Sequence, residues 1–98
     1  MKAVENFPGQ NKLYGKQFTA LILCRLQDLN NRVEKITSTV ILKDLVENVV
    51  PEIPDYDKKL LKKRLQRTLE QLSTSNIIDR KEHFNEKKIK HYSYNYVW

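Results

Sequence analysis

Seven side chains within ten residues, Lys58, Lys59, Lys62, Lys63, Arg64, Gln66 and Arg67, supply six cations and one amide. A second group, Arg80, Lys81, Lys87, Lys88 and Lys90, follows it in the chain. Ammonium and guanidinium groups neutralise phosphates, which gives affinity and salt dependence but carries little sequence information. Gln66 and Arg67 offer more, because their paired hydrogen-bonding atoms match adenine and guanine edges in a major groove. A run such as Lys62-Lys63-Arg64 also suits any solvated helix face, so the first group alone decides nothing. The second group, at a different position in the chain, gives the first its weight.

Catalytic chemistry finds little support. The two histidines, His83 and His91, and the single cysteine, Cys24, do not form a zinc-ligand cluster of the usual spacing, and one cysteine cannot close an intrachain disulfide. There is no Gly-rich phosphate loop and no nucleophile elbow. No enzyme activity, metal or cofactor is expected. Cys24 reads as a small hydrophobe buried in a helix.

The 98 residues suit one compact core, and 40% hydrophobic with 31% charged residues is an ordinary globular balance. The net charge of +6 is unevenly placed. Residues 1–54 hold seven Lys or Arg against six Asp or Glu, and residues 55–98 hold eleven against six. A basic surface confined to one part of a small protein is the electrostatic footprint of a nucleic-acid binder, and a membrane-surface protein would share it. The longest uncharged apolar run, residues 18–24, is far short of the ~20 residues that cross a bilayer. With an acid and Pro8 near the N-terminus, a signal peptide is not expected either. The expected address is cytoplasmic, nucleoid-associated in a prokaryote or virus, or nuclear in a eukaryote.

The elements that must position these residues are legible in outline. Residues 1–15 show no steady apolar period and read as an irregular arm. Phe18, Leu21, Ile22, Leu26 and Leu29 then recur at helical spacing up to Asn30-Asn31. Ile36-Thr37 suits a short edge strand. Ser38 or Thr39 stands as N-cap for a second helix, whose stripe of Ile41, Leu42, Leu45, Val46, Val49 and Val50 ends at Pro51. A third helix is expected over residues 56–73, with Asp55 or Asp57 as its cap. It places Leu61, Leu65, Thr68, Leu69 and Leu72 on one side, with Lys59, Lys63, Gln66, Arg67 and Glu70 opposite. Asn76 suits a left-handed cap. Residues 77–82 and 89–96 read as strands joined by a polar tip at 83–88, with Tyr92, Tyr94 and Tyr96 on one face.

This order of helix, short strand, helix, tight turn, basic helix and basic hairpin resembles the winged helix-turn-helix superfamily of small transcription regulators. The resemblance covers about residues 16–98. It is carried by Leu72-Ser73-Thr74-Ser75-Asn76-Ile77-Ile78-Asp79-Arg80 and by Lys87-Lys88-Ile89-Lys90-His91-Tyr92. Asn76 stands where such proteins often have glycine. The resemblance implies an α+β fold, a three-helix core with a C-terminal hairpin wing, that binds double-stranded DNA. The third helix would enter the major groove with Lys58, Lys59, Lys62, Lys63, Gln66 and Arg67. The wing, with Arg80, Lys81, Lys87, Lys88 and Lys90, would follow the backbone or enter a neighbouring minor groove. Ser38 and Thr39 would meet a phosphate at the start of the second helix, where backbone N–H groups are free.

Two other readings stay open. The stripe Tyr92, Tyr94, Tyr96 and Trp98 could stack on single-stranded bases, although packing over a core explains it as well. Tyr96 and Trp98, with the N-terminal arm, also suit a homodimer contact, and the same fold could serve as a protein-interaction module.

Overall fold

A computed structural model describes residues 7–96. A 3-10 turn, Gln10–Leu13, leads into helices α1 (Gly15–Asn30), α2 (Ser38–Asn48) and α3 (Asp55–Thr74). An antiparallel hairpin of β1 (Ile78–Phe84) and β2 (Lys90–Tyr96) follows. The fold is therefore α+β, with three helices preceding a two-stranded hairpin.

Each helix buries the stripe that its period marks out: Phe18, Ile22, Leu26 and Leu29 on α1, Ile41 and Leu45 on α2, and Leu61, Leu65, Leu69 and Leu72 on α3. Cys24 is exposed, against expectation. It lies about 200° round the helix from Ile22, so the burial of Ile22 turns it outward.

The caps differ from the sequence reading. Thr37, not Ser38 or Thr39, caps α2: its Oγ1 accepts from Val40 N at 3.3 Å. Thr37 is extended (φ −100°, ψ 170°) and bridged to Ser93 of β2, which is the backbone state that an N-cap requires. Neither Asp55 nor Asp57 caps α3; Pro54 holds the cap position, and both acids sit in the first turn, where the helix dipole favours them. α2 stops at Asn48, short of Pro51. Asn76 does adopt the left-handed conformation (φ 61°). Its N–H donates to Ser73 O and that of Ile77 donates to Leu72 O, a pair of bonds that closes the end of α3.

The expected edge strand at Ile36-Thr37 is reduced to one bridge, Thr37 to Ser93, with Tyr94 N donating to Ile36 O at 2.8 Å. β2 thus lies between this segment and β1. His83 and Phe84, expected in the hairpin tip, belong to β1 and pair with His91 and Lys90. The turn is shorter because Asn85 organises it: its Oδ1 accepts from Lys87 N and Ile89 N, both at 2.9 Å. Tyr94 is buried, and Tyr92 and Tyr96 pack against the core. Packing thus accounts for Tyr94, while Tyr92 and Tyr96 are half-buried.

Residues 7–14 are more ordered than an irregular arm. Phe7 and Leu13 are buried in the common core. Gly9 has φ 86°, and a Cβ there would come within 2.7 Å of Val49 O, so this segment lies directly against the end of α2. Residues 1–6 of the arm and Trp98, both candidates for a dimer contact, lie outside the described residues.

Candidate nucleic-acid interface

α3 presents two polar rows to solvent, one of mixed charge and one basic, because residues four apart share a helix face. Lys62, Gln66 and Glu70 form one, and Lys59, Lys63 and Arg67 form the other. The first row borders the hairpin. A cleft of about 520 Å³ lies there, lined by Thr37, Ser38 and Thr39 at the start of α2, by Gln66 and Glu70, and by Arg80, Lys90, His91, Tyr92 and Tyr94. The second row turns the other way: Lys63 and Arg67 line a separate shallow groove with Gly15, Phe18 and Thr19 of α1.

The structure therefore brings Ser38, Thr39, Gln66, Arg80 and Lys90 into one concave surface. Lys58 is not among them. It is half-buried, with its Nζ 3.6 Å from Asp55. Lys81 faces away, since it pairs with Ser93 while Arg80 pairs with Tyr94 on the opposite side of the hairpin. Lys87 and Lys88 are exposed in the turn, and Lys59 and Lys62 are exposed on α3.

Inside the cleft, the Arg80 guanidinium lies 4.4 Å and the Lys90 ammonium 5.6 Å from the Tyr92 ring centroid. The Tyr92 ring holds both cations, and Glu82 on the same face offsets part of the Lys90 charge. Glu70 is the cleft's acid, and it opposes anion binding. Sequence reasoning missed Glu70 and the anchoring role of Tyr92, since cross-strand and helix-to-hairpin neighbours have no local signature.

The reverse face of the hairpin, whose His91 also reaches the rim of the cleft, has a different chemistry. His83 and His91 stack with centroids 5.2 Å apart, Lys35 Nζ donates to His91 Nε2 at 2.8 Å, and His83 Nε2 shares a 2.8 Å hydrogen bond with the buried Ser93 Oγ. Desolvation, then the charges of Lys35, His91 and Lys81, hold His83 below its ordinary pKa. Protonation of His83 would add a positive charge beside Lys35 and Lys81.

Behind the site, Arg25 of α1 grips Asp44 of α2 with two bonds, Nε to Oδ2 at 2.7 Å and a terminal nitrogen to Oδ1 at 2.8 Å. Asn48 Nδ2 also donates to Asp44 Oδ1 at 2.9 Å. The Arg25 hydrogen bond is the main reason that the Asp44 carboxyl is held below its ordinary pKa. This clamp fixes α2, and hence Ser38 and Thr39, against α1.

Compared with protein-family models, curated proteins and solved structures, the chain matches none. Among the described residues no helix is long and apolar enough to cross a membrane.

Proposed function

We propose that the chain is a winged helix-turn-helix module that binds double-stranded DNA and regulates transcription. In this reading α3 enters the major groove, Gln66 meets base edges, and Arg80 and Lys90 hold phosphates beside it. The observation that supports it most is the single cleft in which an α3 amide, two hairpin cations and the start of α2 converge. The bridge that puts β2 between residues 36–37 and β1 supports the winged arrangement. Its cations hold the backbone and its amide samples bases, a division of labour that needs no catalytic group.

Fluorescence anisotropy with a random duplex across a salt series tests the proposal. Nonspecific binding of roughly micromolar strength that weakens steeply with salt is expected. Gln66→Ala should leave random-duplex affinity nearly unchanged and lower discrimination among selected sequences. Failure to bind duplex at low salt would sink the proposal.

A further inference from the structure

α3 carries cations that do not line the cleft. Lys63 and Arg67 lie one helical turn apart, a rise of about 6 Å, and border a groove of about 420 Å³ between α3 and the start of α1. Arg64 is the third cation of this groove, and no Asp or Glu lines it. Among the described residues, none of the three lies within ion-pair distance of a carboxylate. Their charge is open to a partner. α1 begins at Gly15, on the groove, without a side-chain cap or an acid in its first turn, so the helix dipole adds to the positive field.

The groove continues into an apolar pocket. Leu60 and Arg64 line both, and the pocket adds Tyr14, the buried Phe7, Leu13 and Leu61, and one acid, Asp57. Leu60 is 44% and Tyr14 50% exposed, and Tyr56, one turn before Leu60 on α3, is 67% exposed. Arg64 joins the two regions, its guanidinium 4.7 Å from the Tyr14 ring centroid. Exposed apolar side chains gathered at one place and rimmed by charge are the mark of an interaction site.

We propose that this groove docks an acidic helical segment of a partner protein, which seats an apolar side chain between Tyr14 and Leu60 and sets carboxylates against Lys63, Arg64 and Arg67. Two carboxylates one turn apart on a helix match the spacing of Lys63 and Arg67, and laying an amphipathic helix into a groove is a recurrent mode of recognition. Cleft and groove lie on different sides of α3, so one chain can hold duplex and partner at once. A second copy of the chain, at net +6, would meet the groove with like charge. A phosphate backbone would neutralise the cations but leave Tyr14 and Leu60 uncovered. A flat bilayer would not enter a groove walled by two helices.

The probe is a fluorescein-labelled, Ala-rich helical peptide of about 16 residues, with two Leu one turn apart at one end and three Glu on the same face at the other. It is made in both orders, and again with Gln in place of Glu. Anisotropy with the full chain at low salt should give a Kd of about 50 µM for one order, and about tenfold weaker binding for its Gln version. Lys63→Gln with Arg67→Gln should weaken the Glu peptide about fivefold and the Gln peptide by less than about twofold. Leu60→Ala should weaken both by about fivefold, the scale of covering half of one large apolar side chain. All three sites are exposed, so thermal melts should match the wild type. Random duplex should leave the peptide bound. No binding of either order, equal losses of the Glu and Gln peptides in the charge variant, unchanged binding by Leu60→Ala, or full displacement by duplex overturns the docking groove. Duplex binding alongside any of these leaves the proposed function standing. Peptide binding of the expected pattern without duplex affinity supports the groove and overturns the DNA reading instead.

Discussion

Both faces of the β1–β2 hairpin carry cations, but their surroundings set them apart. On the face toward α3, Arg80 and Lys90 lie over Tyr92 in an open cleft, where Glu82 offsets only part of the Lys90 charge. On the reverse face, Lys35 is bonded to His91, His83 to Ser93, and the two rings stack, so polar atoms are satisfied within the chain. Comparable charge thus yields an available surface on one side and an internal fastening on the other. The difference lies in whether the neighbouring residues leave the cations open to solvent, which net charge does not report.

The sharpest way to break this comparison is to remove charge from each face in turn. Arg80→Ala with Lys90→Ala should weaken random-duplex binding on the order of a hundredfold, at ~1.5 kcal/mol for each lost phosphate contact. It should also flatten the salt slope by about 2. Lys81→Ala, on the reverse face, should change affinity by less than about threefold in the same anisotropy titration. Equal losses from the two faces would abolish the distinction.

A smaller effect is expected from the fastening itself. Ser93→Ala removes the buried partner of His83 and should lower stability by about 1–2 kcal/mol in urea unfolding, with duplex affinity little changed where the chain remains folded. An unchanged unfolding midpoint would show that the reverse face does not hold the hairpin. Glu70→Gln, inside the cleft, should strengthen duplex binding by about twofold to fivefold, on the order of half a kcal/mol for one repulsion relieved at the surface. Unchanged affinity would place the duplex away from Glu70.

The mildest probe is pH. Because the folded pKa of His83 is lowered, the unfolded chain binds the proton more readily, and stability falls as pH drops through the unfolded value near ~6.5 toward the folded one. Asp44, also lowered, loses its contribution at more acidic pH, as the carboxylate protonates below ~4. Thermal melting between pH 8 and pH 5, as an approximate window around the histidine range, should show a decline that His83→Gln removes. A decline that persists in the variant would assign it to another group.

Much of the frame was legible in local pattern. Leu61, Leu65, Leu69 and Leu72 fall on one stripe at 3.6 residues per turn, and the tyrosines of β2 alternate at a period of two, so these buried faces follow from spacing alone. Asn76 marked the end of α3 because few other side chains tolerate its left-handed conformation. The candidate site was legible only in part. Lysine spacing placed cations on α3, but it did not show that Gln66 joins Arg80 and Lys90 while Lys63 and Arg67 face α1. Nor did sequence spacing place Lys81 behind the hairpin, because strand alternation gives two faces without saying which meets the core.

Local residue pattern was enough to set which segments form helices and a hairpin, which stripes are apolar, and that positive charge concentrates after residue 54. These follow from covalent geometry, side-chain periodicity and composition, all of which are local. Long-range packing set that Thr37 rather than Ser38 caps α2, that Phe7 and Leu13 join the core, that Arg25 clamps Asp44, and that Cys24 faces outward. Each depends on a partner far along the chain or on competition for a limited core, and that choice is made by which faces pack together.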